Sequence, residues 1–316
     1  MRAVFLCLWL GLPGAVAAQG EIDLPMSPAL EQARDNWLAG RYDGIWPVIE
    51  AEAAAGSPVA QNLLGVGLTE QDGGQGIAYD PERGFAMLQA ASDAGFLRAT
   101  YNLAMVYGEA HPGFGPDYGK KKALAEAAVR AGYDAGQTLL GDLYHGGQGV
   151  DQSYETALHH YRLAADAGVP GGLRAVGYAY YRGEGVHEDV GLARLYLDRA
   201  VAAGDKGAIR DLAWLYEGND GVQRDLVKAY LLYREGVRRG DARSAYDLGG
   251  FVAWAGYEGY WHDRVQGYGY CLLAIDWGHT VDDGEIAANC EEMAEGFTDA
   301  ERATARAFAD GLKAGD

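Results

Sequence analysis

A glycine that returns at a nearly fixed interval constrains this chain more than any other feature. It closes an Ala-rich turn at Gly56, Gly95, Gly132, Gly168, Gly204, Gly240 and Gly278, with spacings of 39, 37, 36, 36, 36 and 38 residues. Self-similarity at this period belongs to stacked supersecondary units, each too small to bury its own apolar face. Eight and nine residues after each glycine comes a branched apolar residue followed by Gly or Ala: Leu64-Gly65, Leu103-Ala104, Leu140-Gly141, Val176-Gly177, Leu212-Ala213, Leu248-Gly249 and Ile286-Ala287. Three residues further stand Leu68, Tyr107, Tyr144, Tyr180, Tyr216, Val252 and Cys290.

Before each glycine, small or apolar residues recur at minus 7, minus 4 and minus 3, as in Tyr161, Ala164 and Ala165 before Gly168. Offsets of three and four mark one face of a helix. Each unit therefore reads as helix A, a glycine loop, helix B and a glycine stop. The stop requires a left-handed residue, which glycine adopts without a Cβ clash. A Gly or Ala inside helix A costs up to about 1 kcal/mol of helix propensity. Its recurrence predicts that a neighbouring backbone packs close there, and that successive hairpins join through these small residues.

The segment LGDLYHGGQGVDQSYETALHHYRLAADAG, Leu140 to Gly168, resembles a Sel-1-like repeat almost throughout, as do Val176 to Gly204 and Leu212 to Gly240. These repeats are relatives of the tetratricopeptide repeat, and the resemblance covers roughly residues 57–295. It implies an all-α fold, a right-handed α-solenoid of about seven stacked helix-loop-helix hairpins. The two units at 57–132 depart from the pattern, with TEQDGGQGIAYDPE and EAHPGFGPDYG in their loops. Upstream, residues 19–56 read as a first helical hairpin turning at Gly40. Downstream, residues 296–316 read as a terminal helix that opens with a capping box, Thr298 and Glu301, and covers the last apolar face.

Residues 1–18 have the build of a secretory signal peptide, with Arg2, an apolar run from Ala3 to Leu12, and small residues at the end. Cleavage near Ala17 or Ala18 is expected. The run falls short of the ~20 residues needed to span a bilayer, and no later segment is long and apolar enough to do so. Signal style and family together point to a periplasmic or secreted bacterial protein with no membrane association after cleavage. The formal net charge is -19, a surface that repels phosphate backbones, so nucleic acid and anionic lipid are not expected partners.

No catalytic constellation emerges. The glycine loops lack a following Gly-Lys-Ser/Thr and follow a helix rather than a strand, which argues against phosphate binding. His159 and His160 are adjacent and point to different sides of a helix, and His187-Glu188-Asp189 has no second ligand at helical spacing. Asp282-Asp283 and the Gly/Asp loop near Asp72 lack the ligand ladder of a calcium loop. The few serines sit in no nucleophile-elbow context. Neither a metal nor a cofactor is expected. Cys271 and Cys290 occupy apolar positions on a helix B and the next helix A; they are either packed thiols or a disulfide, and the adjacency of those faces favours the bridge.

The expected function is that of a non-catalytic scaffold or adaptor, monomeric, holding a protein or peptide partner against the A helices that line the concave side of such a stack. Positions at minus 2, plus 2 and plus 5 from the branched apolar residue form one stripe. From it the candidate contacts are Tyr101, Asp142, His145, Arg174, Tyr178, Tyr181, Arg210, Trp214 and Tyr246. Tyr, Trp and Arg are the residues enriched at binding hot spots, and Arg174 and Arg210 suggest a partner with an acidic group. The opposing possibility is that the aromatics pad the seam between helices. An enzymatic alternative comes from the family, in which some secreted members bind or hydrolyse β-lactam compounds related to the cell wall. That subgroup carries a dense cysteine ladder, and this chain has a single pair after export.

Overall fold

The computed structural model describes residues 24–38, 41–70, 76–111, 115–218, 224–254, 263–277 and 285–314. Among the described residues there are sixteen α-helices and no β-strand. In chain order they are α1 (Pro28–Leu38), α2 (Trp46–Ala54), α3 (Pro58–Thr69), α4 (Pro81–Asp93), α5 (Leu97–Val106), α6 (Tyr118–Arg130), α7 (Gly136–Gly146), α8 (Tyr154–Asp166), α9 (Pro170–Arg182) and α10 (Val190–Ala202). They continue with α11 (Lys206–Glu217), α12 (Leu226–Arg238), α13 (Ala242–Trp254), α14 (Arg264–Asp276), α15 (Glu285–Met293) and α16 (Asp299–Ala314). The chain divides into two compact units, the first ending at Asp205 and the second beginning at Lys206. The proposed leader at 1–18, the turn at Gly40, the loop near Asp72, Gly278 and Asp282-Asp283 lie outside the described residues.

The glycine stops behave as their spacing demands. Gly56, Gly95, Gly132, Gly168, Gly204 and Gly240 all have φ between 75° and 92°. At Gly168 the chain reverses through two backbone bonds, Gly168 N to Ala165 O at 3.0 Å and Val169 N to Ala164 O at 2.9 Å. These satisfy carbonyls that the last helical turn would otherwise leave without partners.

The A-to-B loops of the six hairpins from α3 to α14 close through a device the repeat pattern did not reveal. The residue that starts helix B is Asp80, Asp117, Ser153, Asp189, Asp225 or Asp263, and its side chain accepts a hydrogen bond from the backbone N–H three residues on. The same residue donates its own N–H to a carbonyl near the end of helix A: Asp117 to Tyr107, Ser153 to Tyr144, Asp189 to Tyr180 and Asp225 to Tyr216, at 2.8 to 3.0 Å. One residue thus caps helix B and ties it to helix A, with the cap contributing about 1 kcal/mol.

The small residues act differently from the expectation. A Cβ on Gly65 of α3 would lie 2.7 Å from Leu88 Cγ and 2.9 Å from the Gly84 carbonyl on α4; one on Gly249 of α13 would lie 2.8 Å from the Gly267 carbonyl on α14. At Gly141 and Gly177 the vacant space is filled by the Tyr161 ring and the Leu197 side chain. All four contacts join helix A to helix B of the same hairpin, so these positions do not glue successive hairpins. That role falls to Gly136, whose Cβ would lie 2.8 Å from the Ala125 carbonyl on α6, and to Gly172, 2.8 Å from Ala165 N on α8. The reason is steric: the two helices of a hairpin meet over their full length, and a glycine at the crossing lets a large side chain or a carbonyl enter the interface.

In the second unit Cys271 of α14 and Cys290 of α15 form a disulfide closing 19 residues of separation. The Thr298–Glu301 capping box forms in both directions, Thr298 N to Glu301 Oε2 at 2.8 Å and Glu301 N to Thr298 Oγ1 at 3.3 Å. α16 then lies on α14, where Phe308 packs edge-on against Tyr270 with ring centres 4.9 Å apart, and Lys313 Nζ reaches Asp276 at 2.5 Å.

Candidate partner-binding surface

In the first unit the candidates split between the core and the solvent. Tyr101 on α5 is only 8% exposed and meets Tyr133 edge-on at 5.8 Å. It lies in the buried seam, because the ring of α5 that faces the next hairpin is large enough to fill the space below Leu139 and Leu140. Asp142 on α7 is exposed and accepts a hydrogen bond from the Tyr161 hydroxyl at 2.8 Å. The ring that fills the gap at Gly141 thereby also orients this carboxylate. His145 pairs through Nε2 with Glu184 Oε2 at 2.8 Å, and Tyr154 lies edge-on to it at 5.3 Å. Glu184 belongs to the loop after α9, so the pair latches the end of α7 to the following hairpin.

On α9, Arg174 and Tyr181 are half-buried and Tyr178 is 45% exposed. The Tyr178 and Tyr181 rings stand 6.5 Å apart, adjacent on one stripe of the helix as the spacing of three predicts. Tyr180, which points elsewhere, stacks on Tyr196 at 5.8 Å and lies under Arg162.

In the second unit, Trp214 on α11 is 49% exposed. Arg210, one turn earlier, is engaged within the protein by Asp211 at 3.2 Å and Asp247 at 3.9 Å. Glu217, at the end of the same stripe, accepts from the buried Tyr233 hydroxyl at 2.9 Å. Loss of water around Asp247 pushes its carboxyl up to about 6; Arg210 opposes the rise, and the neighbouring Asp241, Glu217 and Asp211 add to it. The Tyr233 hydroxyl is pushed far above its ordinary range by burial and the adjacent carboxylates. Tyr246 on α13 is half-buried and its hydroxyl accepts from Asn289 Nδ2 at 3.0 Å. Arg210 is therefore a structural counter-ion to two carboxylates, one on the next residue and one 37 positions on, and its stripe alone does not reveal the second.

The exposed aromatic area among these candidates is Tyr178 in one unit and Trp214 in the other, beside hydrogen-bonded charged groups. Among the described residues no group of three or more His, Cys, Asp or Glu side chains could hold a metal ion, and no helix is long and apolar enough to cross a membrane. His160, one of the adjacent pair, donates from Nδ1 to Gln137 Oε1 at 2.7 Å and stacks on Tyr144.

The Sel1 repeat family model matches residues 58–96, 134–169, 170–205 and 207–241. The unit at 97–133, which carries the EAHPGFGPDYG loop, falls between the matched segments. A solved Sel1 repeat protein from Oxalobacter formigenes is 25% identical, the match covering 84% of this chain and 98% of that one with a TM-score of 0.53. The protective antigen c5321 of uropathogenic Escherichia coli strains, which displays an SLR fold, is 22% identical over 90% of this chain and 60% of its own, with a TM-score of 0.50. The immunity protein PA5088 from Pseudomonas aeruginosa shares the fold at 17% identity, covering 81% of this chain and 82% of that chain with a TM-score of 0.50. No curated protein matches the chain significantly. With four copies of the repeat in register with its glycine stops, this chain belongs to the Sel1-repeat family.

Proposed function

We propose that this protein is an exported, non-catalytic scaffold that binds protein or peptide partners through side chains presented by its A helices. The observation that carries the reading is the exposure of Tyr178 and Trp214. Both stand two residues after the branched apolar residue of their helix, at Val176 and Leu212, and both are close to half exposed. The core does not need them, and large aromatic rings held on rigid helices give contact area at little cost in conformational entropy. Sel1 repeats generally mediate protein–protein interactions, which supports this use of the surface. Arg174 and Tyr181 share the stripe of Tyr178 on α9, with Asp142 and His145 at the equivalent stripe of α7, and Tyr246 stands on that of α13 in the second unit.

The leader-like residues 1–18 and the buried disulfide support export to an oxidising compartment. In that reading residues 19–56 form the opening hairpin, 57–295 the repeat body and 296–316 the closing helix. Mass measurement of protein recovered from the cell envelope should find a chain beginning at Ala18 or Gln19. The binding reading is tested by crosslinking capture from native envelope with wild type, Tyr178→Ala and Trp214→Ala. Both variants replace exposed side chains and should keep the helical circular dichroism of wild type while losing captured protein; an unchanged capture profile in both would refute the role of these rings.

A further inference from the structure

The B helix α12 differs from its neighbours on its outward side. Val227, Leu231, Arg234 and Arg238 follow one another at spacings of four, three and four, which places them in a single stripe. Val227 is 59% exposed and Leu231 is 55% exposed; Arg234 is exposed, and the Arg238 side chain is 74% exposed. Nothing in the repeat requires this. Relative to the glycine stops, the same four positions are Glu155, His159, Arg162 and Asp166 in α8, and Gly191, Leu195, Asp198 and Ala202 in α10.

The charge is equally out of keeping with the chain. α12 with its terminal Arg239 carries Lys228, Arg234, Arg238 and Arg239 against Glu235 alone, in a protein of net charge -19. Lys228 is occupied, donating to the Tyr216 hydroxyl at 2.6 Å and lying over that ring. Arg238 and Arg239 share the one carboxylate of Glu235, at 2.7 Å each, which holds that carboxyl down at about 2. Arg234 lies beside the Tyr230 ring at 5.6 Å. A single carboxylate cannot neutralise three guanidinium groups, so the stripe keeps a positive field with two aliphatic side chains at one end.

We propose that the outward stripe of α12 docks a segment of a partner protein that is acidic and carries an apolar side chain, with Arg234 and Arg238 taking the carboxylates and Val227 and Leu231 the apolar residue. Guanidinium groups match carboxylates in paired hydrogen bonds, and a local positive field on an otherwise acidic chain would orient such a partner. The acidity of the rest of the chain disfavours an anionic membrane. This stripe includes neither Tyr178 nor Trp214, and the proposal stands whether or not those rings bind anything.

The test uses the full chain and a fluorescent dodecapeptide with two Asp-Glu pairs flanking a leucine, beside its Asn-Gln and Lys-Arg counterparts, in anisotropy titrations at physiological salt. The acidic peptide should bind and the other two should not. Arg234→Glu with Arg238→Glu should weaken it by more than about tenfold, and Leu231→Ser by about fivefold, as expected for one buried aliphatic group. Trp214→Ala should leave it unchanged. Equal affinity in the charge-reversed double variant would overturn the proposal. So would α12-dependent capture by phosphatidylserine vesicles without peptide binding, or α12-dependent dimerisation in sedimentation that blocks the peptide.

Discussion

Glu109, at the end of α5, lies in the loop that departs from the repeat, and its titration is the most direct probe of that departure. Burial raises its carboxyl from 4.5 to about 7, against the pull of Lys121. Lys121 is itself buried, and its chain lies across Gly108. Nearby, His111 is buried with Nδ1 bonded to the Tyr79 hydroxyl at 2.9 Å, and burial lowers its pKa. The sign for Glu109 follows from proton counting. Between pH 4.5 and 7 the folded protein holds a proton that the unfolded chain has released, so stability falls as pH rises through this window and levels off above it. The displacement corresponds to at most about 3 kcal/mol. His111 acts oppositely, because between its lowered folded pKa and its unfolded value the unfolded chain holds the extra proton, so stability rises with pH through that window and levels off above it, and the acidic chain as a whole also repels itself more at high pH. Comparing Glu109→Gln with wild type by urea denaturation at pH 5 and pH 8 cancels both effects. The variant should gain about 1 to 3 kcal/mol relative to wild type on going from pH 5 to pH 8. A difference between the two proteins that does not change with pH would refute the burial of this carboxylate.

Two further predictions concern packing and the crosslink. Gly249 and Gly250 are neighbours on α13, yet a Cβ at Gly249 would press on the Gly267 carbonyl while one at Gly250 would meet nothing within 4 Å. Thermal denaturation should show Gly250→Ala stabilising by up to about 1 kcal/mol through helix propensity and Gly249→Ala destabilising by about 1 to 3 kcal/mol through overpacking; equal shifts would mean that α13 and α14 are not in tight contact. Replacing both Cys271 and Cys290 by serine should lower the stability of the second unit by about 3 kcal/mol or more, the loop-closure value for this separation, and make it insensitive to reductant. Urea titrations with and without dithiothreitol check this.

The repeat register was legible from sequence because it is a local matter. A helix that must stop needs a left-handed residue, so the glycines mark the hairpins, and their positive φ values at six described positions follow directly. The disulfide was within reach for a related reason: once the register is set, Cys271 and Cys290 fall on adjoining helices. The aspartate and serine caps at 117, 153, 189 and 225, spaced by 36, carried an equally regular signal. A pattern of apolar and glycine positions does not contain them, because a cap works through its backbone and one short polar side chain.

Other features depended on which atoms meet across helices, and no one-dimensional pattern encodes that. The stripe of Arg210 says only that it faces away from the core; that Asp247, on α13, comes within 3.9 Å of it is decided by the tertiary structure. Tyr101 occupies the same nominal stripe as Tyr178, yet one ring is in the seam with Tyr133 and the other is close to half exposed. The sequence by itself determined the helices, their stops and the family. Only the tertiary structure decided which glycines seat a helix within a hairpin and which between hairpins, and which charges are already answered, since those depend on distances between residues remote along the chain.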